Sequence, residues 1–229
     1  MSRLRLCLAS LFVAAAASAC APNLQQQQVA PVTVRTPGDA RPAKPALDRA
    51  ALRAKLAARR EQVMQRFLAY REARTYPINN LPGGGFRHVW LDDFGHLCAA
   101  ATLVSNDWGR DAAIRAGAAN REIKIADVKQ GPLADWVLTT GLTHAELVAI
   151  QVPGFEQPVI VEPGEDQQRT AEVNRLYGIY LDVERQMRSL WDENLDLATD
   201  ALMQHPELAR GVLADRMAGP GVYGKPPVG

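Results

Sequence analysis

Five side chains able to do chemistry fall within eleven residues: His88, Asp92, Asp93, His96 and Cys98. Two imidazoles, two carboxylates and a thiol form a donor set that a transition metal accepts. A thiol beside an imidazole can also become a thiolate nucleophile. The spacing matches no metal signature, however, and a strand–turn–helix over this stretch would hold His88 and His96 apart. A plainer reading gives both histidines to turns, the Asp pair to a helix cap and Cys98 to a buried Ala-rich face. This plainer reading is the expectation, so no catalytic residue, metal or cofactor is assigned.

Other local patterns carry less. Asp93-Phe94-Gly95 spells a protein-kinase tripeptide, but the glycine loop, paired lysine and catalytic loop of that set are missing. Gly83-Gly84-Gly85 lacks the Lys-Ser/Thr of a phosphate loop. The segments after Pro132 and Thr143 have the outline of a helix-turn-helix, yet His144 to Gln151 contains no Lys or Arg. His144 is expected to face solvent, and Leu133, Trp136, Val137, Leu147 and Val148 to form core. Trp90, Trp108 and Trp136 suit either a ligand pocket or ordinary core.

Any such site must be held by elements, and composition bounds what these are. The chain has 229 residues, 47% hydrophobic but only 6% aromatic, with 26 Lys+Arg against 25 Asp+Glu. Small apolar side chains favour helix over sheet, and the balanced charge argues against a nucleic-acid binder.

The amino terminus reads as an address. Arg3 and Arg5 precede an apolar run from Leu6 to Ala19, too short to span a bilayer but suited to a signal peptide. Ala17-Ser18-Ala19-Cys20 resembles the lipobox of bacterial lipoproteins, with Ala17 where Leu is commoner. The resemblance implies cleavage before Cys20, lipid (including palmitate) on Cys20 and, because Ala21 is not Asp, the outer membrane, facing the periplasm. Ordinary cleavage after Ala19 would instead give a soluble secreted protein. Residues 20–46, with five prolines and the run Gln25 to Gln28, read as a disordered tether.

Residues 47–217 are expected to form one mainly α domain, with residues 218–229 a disordered tail. From Asp48, a plausible N-cap, to Arg74 there is no Gly or Pro, and Leu52, Leu56, Val63, Phe67 and Tyr70 recur at helical spacing. Tyr76-Pro77 should close this helix. A second helix is predicted from about Asp166 to Gln204. In it Val173, Leu176, Tyr180, Val183, Met187, Leu190, Asn194, Leu197 and Ala201 step by alternate threes and fours, a heptad seam with one polar member. His205-Pro206 should restart the helix, running to Met217.

Charge suggests how these two helices meet. Residues 48–74 hold eight basic and three acidic residues, net +5; residues 162–210 hold five and eleven, net −6. Asp192, Asp196 and Asp200 repel one another along one face, which a basic partner such as Arg59-Arg60 would relieve. An antiparallel hairpin within the chain is preferred over a parallel homodimer through the 166–204 helix, or coiled coil, in which Asn194 would fix register.

Between them, residues 77–160 form a compact insert. Phe86–Leu91 and Pro158–Val161 are expected to pair as a minor β hairpin. Helices are expected at about His96–Val104, capped by Asp92 or Asp93; at Asp107–Ala118, capped by Asp107; and from Pro132 to about Thr140. Thr143-His144-Ala145-Glu146 is a capping box with Leu142 and Leu147 as its staple.

The functional expectation is an envelope-anchored lipoprotein acting as a non-enzymatic adaptor, assembly or structural module, with a protein partner in the envelope. The alternative is an envelope thiol- or metal-dependent enzyme built on His88–Cys98.

Overall fold

A computed structural model describes residues 46–77, 89–120, 122–151 and 165–220, all within one compact unit, Pro45–Gly229. Helix accounts for 73% of the described residues, so the class is mainly α as the composition implied. The helices are α1 (Arg49–Ala73), α2 (Ala99–Trp108), α3 (Arg110–Ala119), α4 (Pro132–Thr139), α5 (His144–Gln151), α6 (Glu165–Ser189), α7 (Trp191–Met203) and α8 (Pro206–Leu213).

Local chemistry sets most of the boundaries. Asp48 caps α1 by accepting from the Ala51 amide (3.0 Å). At the other end the Tyr76 hydroxyl donates to the Arg71 carbonyl (2.6 Å), satisfying one of the last orphan carbonyls. Thr143 and Glu146 form the reciprocal box: the Thr143 amide donates to Glu146 Oε2 (2.8 Å) and the Glu146 amide to Thr143 Oγ1 (3.2 Å). Pro132 and Pro206 each stand in the first turn of their helices, where the missing N–H costs nothing.

The long helices do form an antiparallel hairpin within the chain. Moving up α1, Arg49 meets Asp196 and Asp200, Arg53 meets Asp192 and Asp196, Arg71 meets Glu184 and Arg74 meets Asn174. The basic partners of the Asp ladder are therefore Arg49 and Arg53, not Arg59-Arg60. Antiparallel pairing sets the first turns of α1 against the last of α7, and Arg59 and Arg60 are used elsewhere.

The predicted second helix is two helices. It breaks at Leu190, whose backbone (φ −107°, ψ 24°) leaves the helical region. Up to that point the seam holds, since Leu176, Tyr180, Val183 and Met187 are buried. Beyond it Leu197 is 56% exposed, while Leu195, Ala198 and Leu202 are buried. The inward stripe thus advances by one residue after the break, from the heptad position to the next.

Two apolar clusters result. Leu52 and Leu56 of α1 pack with Leu195, Leu202, Ala209 and Val212. Val63, Met64, Phe67 and Tyr70 belong to a larger cluster with α2, α4, α5 and α6. There Phe67, Tyr70 and Tyr76 surround Tyr180, with ring centroids 5.3–5.8 Å away. Such edge-on aromatic contacts add roughly 0.5–1.5 kcal/mol each beyond area burial.

The insert departs from expectation in its details. Of the predicted hairpin, Val89–Leu91 is described, and Leu91 makes a single antiparallel bridge to Leu97; Phe86–His88 and Pro158–Val161 lie outside the described residues. The α2 N-cap is Cys98, not Asp92 or Asp93. Asp107 lies in the last turn of α2, and α3 begins after Gly109. His144 is half-buried, its Nε2 2.8 Å from the Ile125 carbonyl, because Gln151 ties residues 123–125 against α5. The helix after Pro206 stops at Leu213 rather than Met217. The predicted tail is ordered at its first residue: Ala218 is buried and accepts from Trp108 Nε1 (2.8 Å).

Candidate functional site

The four described members of the five-residue cluster resolve into a turn and a helix cap. His88 lies outside the described residues, as does Cys20. Asp92 is buried and organises the turn before α2: its Oδ1 accepts from the Phe94 and His96 amides (2.9 and 2.8 Å) and its Oδ2 faces His96 Nδ1 (3.0 Å). This is an Asx-type turn, in which a carboxylate replaces backbone partners. Gly95 sits in it at φ +83°, a conformation that a side chain would strain. Asp93 is exposed, and Phe94 projects with 71% of its surface exposed and its ring stacked on His96 at 6.4 Å.

Cys98 is buried. Its Sγ accepts from the Ala101 amide (3.5 Å) at the start of α2. Burial pushes the thiol up to about 11, against the weaker pull of the amides and Gln151 that favour the thiolate. Among the described residues no group of three His, Cys, Asp or Glu side chains is placed to hold a metal ion.

The three tryptophans are core groups whose indole N–H donors are all satisfied. Trp90 donates to the Ala113 carbonyl (2.9 Å), Trp136 to Asp107 Oδ2 (2.7 Å) and Trp108 to the Ala218 carbonyl. Trp90 and Trp136 are fully buried, and Trp108 meets Trp136 edge-on at 6.4 Å.

Two polar hubs stand at the boundary between the apolar clusters. Arg60 is wholly buried and grips Glu146 with both nitrogens, Nη1 to Oε2 (2.9 Å) and Nη2 to Oε1 (2.5 Å). It also donates to the Gly141 and Met187 carbonyls (3.1 and 3.2 Å) and lies 4.6 Å from the Trp191 ring centroid. Met187 is in the last turn of α6, where carbonyls lack helical partners. Asn194, the polar member of the seam, donates to Glu146 Oε1 (2.9 Å). Burial alone would raise the Glu146 carboxyl, but Arg60, Thr143 and Asn194 together hold it below the ordinary range. In the second hub Asp107 takes both Arg59 and Arg66 as well as Trp136, so two guanidinium charges share one carboxylate.

Beside that hub lies a cleft of about 460 Å³ between α1 and α2. One wall is the α1 face Arg66, Ala69, Tyr70 and Ala73, at i, i+3, i+4 and i+7; the other is the α2 face Thr102, Ser105 and Asn106. His96 and Arg110 close its end. The Arg110 Nη2 donates to the Gly95 carbonyl (2.6 Å), fixing the guanidinium over the turn. None of the three tryptophans lines this cleft. The sequence signal for it is the polar spacing 102, 105, 106 on an Ala-rich helix, together with alanines on α1. That pattern is fainter in the sequence than the denser His–Asp–Cys run. Compared with family models, curated proteins and solved structures, the chain matches none.

Proposed function

We propose that this chain is an envelope lipoprotein, anchored through lipid on Cys20 and serving as a non-enzymatic helical adaptor or assembly module in the periplasm. The observation that carries the reading is how the densest reactive cluster is used. Asp92 is committed to its own turn, and Cys98 is a buried cap with a raised thiol. Those groups serve the fold around α2. No helix among the described residues is long and apolar enough to cross a membrane, so attachment in this reading falls to the lipid. A diacyl anchor with further acylation meets the two-chain requirement for stable binding. A tether of about 25 residues reaches some 25–30 Å as a flexible coil and several times farther when extended.

Metabolic labelling with an alkyne fatty acid, followed by crosslinked pull-down from envelopes, tests both halves. Label and a stoichiometric partner, each lost in Cys20→Ala, are the expected result. Label retained by Cys20→Ala would overturn the anchor; anchoring without any partner would overturn the adaptor role.

A further inference from the structure

We propose that the cleft between α1 and α2 binds the anionic group, carboxylate or phosphate, of a small polar ligand. This inference does not depend on lipid anchoring. Ala69 and Ala73, both exposed, line the α1 side of the cleft with methyl groups alone. Longer side chains there would close it. Its rim is cationic. Arg66 shares the single Asp107 carboxylate with Arg59, leaving one positive charge in that trio uncompensated. Arg110 is held by a neutral carbonyl rather than by an acid, which positions the guanidinium without neutralising it. Asp92, in the turn that supplies Gly95 and His96 to the cleft, faces His96 and two backbone amides of that turn.

Between these cations the α2 face offers the Thr102 and Ser105 hydroxyls and the Asn106 amide on one helical stripe. Guanidinium forks flanked by neutral donors are the arrangement that recognises a carboxylate or phosphate oxygen. The volume suits a small molecule rather than a protein segment buried over a wide face.

The test is a ¹⁵N-amide NMR titration of the purified full chain with inorganic phosphate and, separately, with succinate at matched ionic strength. Saturable shifts at Gly95, Ser105 and Asn106 with at least one anion are expected. Phosphate alone would assign a phosphate-bearing ligand, succinate alone a carboxylate-bearing one. Arg110→Ala should weaken binding about tenfold, the loss of one charge-assisted contact. Ala69→Leu, on the exposed side of α1, should abolish binding by filling the cleft while leaving every charge in place. Arg115→Ala, an exposed charge outside the cleft, is the control and should change nothing. Circular dichroism checks that each variant keeps its helix. Non-saturating shifts with both anions, equal weakening by Arg110→Ala and Arg115→Ala, or unchanged binding in Ala69→Leu would each overturn the proposal.

Discussion

Cys98 shows how burial sets the behaviour of a reactive side chain. With its thiol pushed up to about 11, only about 0.1% is thiolate at pH 8, and the sulfur is enclosed as well. In a Cys7→Ser, Cys20→Ala chain, where Cys98 is the one remaining thiol, maleimide labelling should therefore require denaturant; labelling within minutes under native conditions would refute the buried-cap assignment. The Arg60–Glu146 pair makes the opposite point, since its charges are buried together. Glu146→Ala would strand the Arg60 guanidinium and should cost about 3–5 kcal/mol in urea unfolding. Replacing both partners with apolar groups, Arg60→Met with Glu146→Leu, should cost far less. Because the folded Glu146 carboxyl is held below its unfolded value, the pair stabilises fully above the ordinary glutamate range. That contribution is lost as pH falls through the range toward the lowered native value. Glu146→Gln should flatten this part of the acid-unfolding profile.

At the scale of elements, the Leu190 break gives a direct test of which stripe faces inward. Leu195→Ala should cost about 2–5 kcal/mol, whereas Leu197→Gln, on the continued heptad, should fall within about 0.5 kcal/mol of neutral. The reverse order would mean that the helix runs unbroken. Gly141 offers a second test. Its φ is +76°, and a Cβ there would stand 2.4 Å from the Leu56 carbonyl oxygen and 2.9 Å from the Arg60 nitrogen. Both atoms are backbone, so α1 itself would have to shift; Gly141→Ala should destabilise by about 1–3 kcal/mol. These two positions also separate what the sequence revealed from what it hid. Caps at Asp48 and Thr143, prolines at helix starts and the hairpin pairing were all legible, because each follows from neighbours a few residues apart or from summed charge. The break at Leu190 was not: the heptad pattern ran through it without a Gly or Pro. What favours it is a buried guanidinium from α1 at the Met187 carbonyl, a tertiary contact 127 residues away. Asp107 was misread for the same reason, since its partners come from α1 and α4. The cleft between α1 and α2 was hidden likewise, as it needs two helices set side by side.

Over the whole molecule, opposite net charges on the two long helices become a ladder of ion pairs along the hairpin edge. Arg49 and Asp200 are solvent-exposed and Arg53 and Asp196 half-exposed, so screening governs much of their contribution. The Arg49→Gln, Arg53→Gln double variant should lower Tm more at about 20 mM NaCl than at about 0.5 M. An equal shift at both salts would instead point to lost contact of the arginine stems.

The same hairpin joins the beginning of the domain to its end. Arg49 bonds Asp200 across 151 residues and Lys55 bonds Asp215 across 160. Leu52 and Leu56 likewise share their cluster with buried apolar partners that come from Leu195 onward, Leu202, Ala209 and Val212 among them. At synthesis rates of 5–20 residues per second, the first helix must wait roughly 8–30 s for the last ones to emerge. A chain whose first helix pairs with its last cannot close early. During that interval the apolar face that carries Leu52 and Leu56 stays open to solvent, and the domain can close only after its last helices have emerged.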